Sequence, residues 1–419
     1  MMKNLKHLKT IFFVAVCVLF VFACRQSNQK NKIYRASIVR ADGLPIVFNI
    51  QEEIKGDSIQ WIINNAGEKL LVEDIAVKGD SLLVNLPFFE ANLLLLKTNK
   101  GYSGTWHKKT SIGEQTVPII IEEGKERLIL ADEKPVTDIS GRWSVVFTKA
   151  NGKQINAIAE FKLKGDSLTG TFLTATGDYR YLEGLVKGDS LVLSTFDGTH
   201  AYFFSGKISA EGVIENGVFA SGPTSVETWT AKRDSAGNID ESAAKMELKG
   251  IDNRLHFRFP DLDSNLVGIE DDRYKNKVVV LQIMGSWCPN CMDETAFLSD
   301  YYAKNASKGV EVIGLAYEFT TDFSRATKNL MRFKNKFNVQ YPMLVTGVTS
   351  ADTLRTEKTL PEMTPIKAFP SMIFIGKDGT VRKTHAGYAG PATGIHHEAF
   401  KQNFNKEIEE LLAEKAEKN

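Results

Sequence analysis

The chain has 419 residues, 43% of them hydrophobic and 25% charged, with a formal net charge of +1. That length is too great for one compact domain and predicts two or three. A near-neutral balance without a basic tract argues against nucleic acid as a partner. There are four cysteines, Cys17, Cys24, Cys288 and Cys291. The first two fall in an apolar leader, so Cys288 and Cys291 have no competing thiols in the body of the chain and are free for chemistry.

Residues 1–23 read as a lipoprotein signal peptide. Lys3, Lys6 and Lys9 make a positive start, and the 13 apolar residues 11–23 are too short to cross a bilayer as an ordinary helix. Val21-Phe22-Ala23-Cys24 resembles a bacterial lipoprotein cleavage box. Cleavage before Cys24 removes the three lysines and leaves a formal charge of −2. Lipidation of Cys24 would then hold the protein on a membrane, since each buried methylene contributes about 0.8 kcal/mol. The polar stretch 24–32 reads as a tether. These features predict a lipid-anchored protein of the bacterial cell envelope facing the periplasm, where disulfides persist.

Short β-type runs follow, at 46–50, 58–63, 81–86 and 117–121. Lys55-Gly56-Asp57-Ser58 recurs from Lys78, Lys164 and Lys187, with 23 residues within each pair and 109 between pairs. About 100 residues therefore occur twice, predicting β units over 33–133 and 137–233. Each is expected to be an antiparallel barrel or sandwich of eight or so strands. The repeated tetrapeptide reads as a tight turn, because Gly-Asp supplies the positive-φ conformations that a hairpin needs. The aromatics Trp61, Phe88, Phe89, Trp106, Phe172, Tyr202, Phe203 and Phe204 read as core rather than as a ligand cage. No catalytic constellation is expected before residue 280.

Residues 234–254 read as a polar linker. A strand signal resumes at 255–259, and the run 278–283 reads as a strand buried on both faces. It breaks at Gly285 and delivers Cys288-Pro289-Asn290-Cys291. A helix over 292–302 follows, with Asp293 and Glu294 expected in its first turn. Further elements are a strand at 309–316, a helix at 323–337 and a strand at 343–345. A loop or helical insertion at 349–366 precedes a hairpin at 371–384 and a tail helix at 397–415. This order predicts helices on both faces of a mixed sheet, an α/β domain.

The spacing puts Cys291 within disulfide reach of Cys288, whose sulfur lies near a helix N-terminus, where unpaired N–H groups favour a thiolate. That is the construction of a thiol–disulfide exchange site. Zinc would need four ligands, and neither a second CxxC nor a histidine cluster supplies them, so no metal site is expected. A purely structural disulfide would close a loop too small to stabilise much.

Residues 255–419 resemble the thioredoxin superfamily, and within it the TlpA/ResA-like thiol–disulfide oxidoreductases of bacterial envelopes. The resemblance rests on Trp287-Cys288-Pro289-Asn290-Cys291 after a buried strand, on Phe369-Pro370 before another, and on Lys377-Asp378-Gly379 followed by His385-Ala386-Gly387-Tyr388. It implies that Cys288 is the exposed nucleophile and Cys291 the buried resolving thiol of a redox-active disulfide. Trp287 would shape the rim. Phe369 and Pro370 would bind substrate, with Pro370 a cis-proline facing the disulfide. Glu318 would be an acid that shuttles the resolving thiol's proton. It further implies no cofactor, disulfide-bearing envelope proteins as substrates, and a membrane electron donor. Unlike many relatives, the chain has Asn290 before the second cysteine and Ala296 where a helix proline is common. A moderate rather than extreme stabilisation of the thiolate is expected, in a reductase rather than an oxidase. Two rivals remain: β units that bind a partner or glycan with the α/β domain as scaffold, and peroxide reduction, which normally dispenses with CxxC.

Overall fold

The computed structural model describes residues 32–56, 58–87, 90–124, 127, 133–209 and 211–414. The signal peptide, Cys17, Cys24 and nearly all of the tether lie outside the described residues, as do Asp57, Phe88, Phe89 and Lys415. The first unit contains β1 (Lys32–Val39), β2 (Pro45–Lys55), β3 (Ser58–Asn65), β4 (Glu68–Val72), β5 (Ile75–Lys78), β6 (Ser81–Asn85), β7 (Ala91–Lys97), β8 (Gly101–Thr110) and β9 (Gly113–Glu123). These form one nine-stranded antiparallel sheet in the order β4-β3-β2-β1-β9-β8-β7-β6-β5. Inward and outward side chains alternate along β1 and β9, as a curved sheet with one buried face requires.

The second unit contains β10 (Gly141–Thr148), β11 (Gln154–Lys164), β12 (Ser167–Thr174), β13 (Gly177–Asp178), β14 (Leu182–Lys187), β15 (Ser190–Phe196), β16 (Ala201–Ile208), β17 (Val213–Ser221) and β18 (Ser225–Arg233). Strands β10, β11 and β12 begin 109 residues after β1, β2 and β3, as the sequence repeat predicts. Both units are barrel-shaped, with nine strands each among the described residues. The second closes through β12, which pairs with β11 on one side and β14 on the other. All four Lys-Gly-Asp-Ser segments are two-residue hairpins in which Lys and Ser pair directly.

The third region holds β19 (Arg258–Pro260), β20 (Leu266–Gly268), β21 (Val278–Met284), β22 (Val310–Ala316), β23 (Met343–Val345), β24 (Ser371–Ile375) and β25 (Val381–Ala386). Its helices are α1 (Pro289–Asn305), α2 (Phe323–Phe337), α3 (Arg355–Thr359) and α4 (Ile395–Ala413). The main sheet runs β23-β22-β21-β24-β25, with β21, β22 and β23 parallel and β24 and β25 antiparallel. Alternation along β21 sends Val278 and Val280 toward residues of α1, α2 and α4, and Val279, Leu281 and Ile283 toward the opposite face. Leu255, Phe257, Leu360 and Met363 cover that second face. The stretch expected as linker is only partly free chain. Met246 is buried in this region's core, and Leu248 bridges to Met363, because an apolar residue between polar neighbours can dock as an edge.

Candidate active site

Strand β21 is apolar except for Gln282, and it leads through a turn at Gly285 into α1. Cys288 is the N-cap of α1, and Pro289 takes the first helical position, where a missing N–H costs nothing. The Cys288 sulfur accepts the Cys291 N–H at 3.3 Å and donates to the Phe369 carbonyl at 3.4 Å. The Phe369–Pro370 peptide is cis. The carbonyl of Phe369 therefore lies beside the Cys288 sulfur. Trp287 anchors through its ring N–H on the Tyr317 carbonyl at 2.8 Å and stacks on Phe319. The two thiols are free and Cys291 is fully buried. Burial first, then the neighbouring Cys288 sulfur, pushes the Cys291 thiol well above its ordinary range.

One expectation changes. Cys288 is not exposed: only 6% of it reaches solvent, and it shares an apolar cluster with Ala201 and Phe203 of the second β unit. Glu318 is buried near the site, but its oxygens accept the Ser286 N–H at 2.7 Å and hydroxyl at 2.6 Å. Burial pushes its carboxyl up to about 7 against those two bonds. It orders the turn that precedes the cysteines. Glu294, one helical turn after Cys291 on α1, also raises the Cys291 thiol, as the smallest of the influences on it. Because α1 begins at Pro289, Asp293 and Glu294 fall in its second turn, not its first.

Glu294 is fully buried. One oxygen accepts from Gln282 at 2.9 Å, and the other has no hydrogen-bond partner. Burial pushes this carboxyl up to about 8. A carboxyl poised near neutrality can take a proton and return it. The sequence does carry a signal for it: Glu294 follows Cys291 at i+3, on one helix face, and Gln282 is the lone polar residue in β21.

The second β unit also reaches the motif. Asn290 donates to the Asp178 carbonyl at 3.0 Å, and Arg180 donates to the Pro289 carbonyl at 2.9 Å. Arg180 also pairs with Asp293 and with Glu68 of the first unit, and approaches Asp197 at 3.8 Å. Burial works against this charge, but Asp293, Glu68 and Asp197 outweigh it and hold the guanidinium protonated well above the usual arginine range.

The Redoxin family model matches residues 252–397. This part of the chain is similar to the Redoxin family and to thiol-disulfide oxidoreductases named ResA. A thiol-disulfide oxidoreductase ResA from Bacillus thuringiensis subsp. konkukian is 29% identical over 126 residues, which is 30% of this chain and 63% of the relative. The ResA of Bacillus subtilis is 23% identical over 125 residues, 30% of this chain and 62% of the relative. The chain thus spans a little under two thirds of these relatives. A thioredoxin-family thiol:disulfide interchange protein from Chlorobium tepidum matches at 16% identity and a TM-score of 0.30, covering 39% of this chain and 99% of its own. A thiol-disulfide oxidoreductase from Bacteroides fragilis matches at 15% identity and a TM-score of 0.26, covering 35% and 96%. All of these likenesses leave most of the chain, including room for both barrels, uncovered.

Proposed function

We propose that the chain is a thiol–disulfide oxidoreductase that reduces disulfides of envelope proteins. The observation that carries this reading is the pairing at the start of α1, where the Cys291 N–H points at the Cys288 sulfur beside the Phe369 carbonyl. A positively polarised helix start is where negative charge on sulfur is stabilised. In the proposed cycle the Cys288 thiolate attacks a substrate disulfide, forming a mixed disulfide and releasing one substrate thiolate. Cys291 gives its proton to the ionised form of Glu294 and attacks the Cys288 sulfur. The second substrate sulfur leaves, and Cys288–Cys291 is left oxidised. Two electrons have passed to the substrate, and a membrane electron donor would restore the dithiol. No cofactor enters the cycle. Lipid attachment at Cys24 and an envelope location complete the proposal, since an exported dithiol needs both a substrate pool and an electron supply.

Insulin reduction by dithiothreitol-recycled protein tests the chemistry. The Cys288→Ser variant is expected to lose all catalysis. Cys291→Ser is expected to accumulate a mixed disulfide with its substrate. A titration in glutathione redox buffer in which Cys288 and Cys291 never join would overturn the reading.

A further inference from the structure

The oxidoreductase reading demands something the closed structure withholds. A disulfide sulfur must approach the Cys288 sulfur along the axis of the bond being broken, and access governs that rate. Yet Cys288 is buried and shares an apolar cluster with Ala201 and Phe203 of the second unit. Beside it, residues 177–180 pack against the CPNC turn. A Cβ on Gly177 would come within 2.5 Å of the Asn290 side-chain nitrogen, and a Cβ on Gly387 within 2.8 Å of the Gly177 nitrogen. The segment is thus pressed backbone to backbone against the loop at 387–390. Asp178 fixes it there by accepting the Gly390 N–H at 2.6 Å and, through its carbonyl, the Asn290 side chain. Arg180 latches it to Pro289 and Asp293. On the Trp287 side, Glu90 of the first unit grips Arg325 of α2 through two bonds of 2.7 and 2.6 Å. The gap left there between the first unit, Thr199, Ser286 and Trp287 is about 10 Å³, no more than one water.

The interfaces differ in kind. The two β units are joined by packed aromatics, with Phe196 stacked on Phe48 at 4.3 Å and edge-on to Trp106 at 5.2 Å. Arg127 of the first unit adds bonds to the Ser194 carbonyl and Glu183. The contacts named between the barrels and the thioredoxin-like domain are mostly hydrogen bonds and ion pairs, His396 with Glu160 at 2.8 Å among them. A polar seam can exchange its partners for water, whereas an aromatic one exposes apolar surface when it parts.

We propose that the paired barrels form a lid over the dithiol, latched by Arg180 and by Glu90–Arg325, and that a disulfide-bearing protein chain gains Cys288 only when the lid swings away as one body. This rests on the oxidoreductase reading for its purpose, but not for its test. The rate of Cys288 alkylation by iodoacetamide, read by mass spectrometry on the full chain, reports lid opening without any turnover. The folded wild type is expected to react much more slowly than the urea-unfolded chain. Glu90→Gln, at a partly exposed clamp, is expected to raise the rate about tenfold, the population change that follows from losing a charge-assisted pair. Arg180→Ala is expected to raise it further, provided its melting transition stays cooperative; if that variant does not fold, Glu90→Gln and Arg325→Gln carry the test. Wild-type labelling as fast as in urea, or no acceleration in any folded variant, overturns the lid. Faster labelling with no insulin reduction supports the lid and overturns only the oxidoreductase reading.

Discussion

The two β units follow one strand plan, and they part company at one strand. In the first unit β4 is a full five-residue strand, Glu68–Val72, with buried and half-exposed residues alternating. In the second unit the counterpart, 109 residues on, keeps only Gly177–Asp178 as β13. The chain then leaves the sheet, with Arg180 at φ +57°, and crosses to the CPNC turn. The sequence changes with it, from Glu-Lys-Leu-Leu-Val to Gly-Asp-Tyr-Arg-Tyr. Losing β4's counterpart also lets β12 pair directly with β14, which closes the second barrel. A duplicated fold has thus kept its turns and altered the strand that meets the CPNC turn. The cores differ too. The first barrel buries Glu52 among Trp61, Tyr34 and Tyr102. The second has Phe161 at the matching position, edge-on to Phe172 at 5.7 Å.

The largest effect that would break this comparison is at the altered strand. Arg180→Ala takes the counter-charge from the buried carboxyls of Glu68 and Asp293 and is expected to cost about 3–5 kcal/mol in urea unfolding. Leu71→Ala, its counterpart in the first unit, is expected to cost less than about 1 kcal/mol. Equal losses would mean that Arg180 has no special place. A smaller effect is expected in the first core. Glu52→Ala leaves the Trp61 N–H without its acceptor, at about 1–3 kcal/mol, and frees two tyrosine hydroxyls held only by long bonds of 3.4 Å. Glu52→Gln, which keeps an acceptor, should recover most of that stability.

The smallest effect is in pH dependence. Burial raises Glu294 from its ordinary value to about 8 in the folded chain. Its contribution to stability is therefore fully present below the ordinary carboxylate range and is lost as pH rises through about 8. The melting temperature of wild type should fall relative to Glu294→Gln between pH 5 and pH 9, by more than about 2 °C. Parallel curves would show that Glu294 keeps an ordinary carboxylate pKa when folded, too low to hold the proton from Cys291.

Much of this was open to a reader of the sequence, because it is written in local pattern. The Gly-Asp turns, the helix at 323–337 and the strand at 371–375 follow from residues within a few positions of one another. So does the placement of Cys288 at a helix start, since a strand, a glycine break and a proline at the first helical position all lie within a dozen residues. Glu294 was half legible: its spacing from Cys291 is local, but the Gln282 contact that makes it a buried proton site spans the strand and helix. The burial of Cys288 was not legible at all, nor was the meeting of Asp178 and Arg180 with Asn290 and Pro289, more than a hundred positions away. Nothing in either segment announces the other, because an ion pair or a carbonyl contact carries no periodicity. Sequence determined which atoms could do sulfur chemistry and how the chain would hold them. Only the packing of three domains decided that those atoms would be covered, because burial is a property of what lies across the interface and not of the residues that are buried.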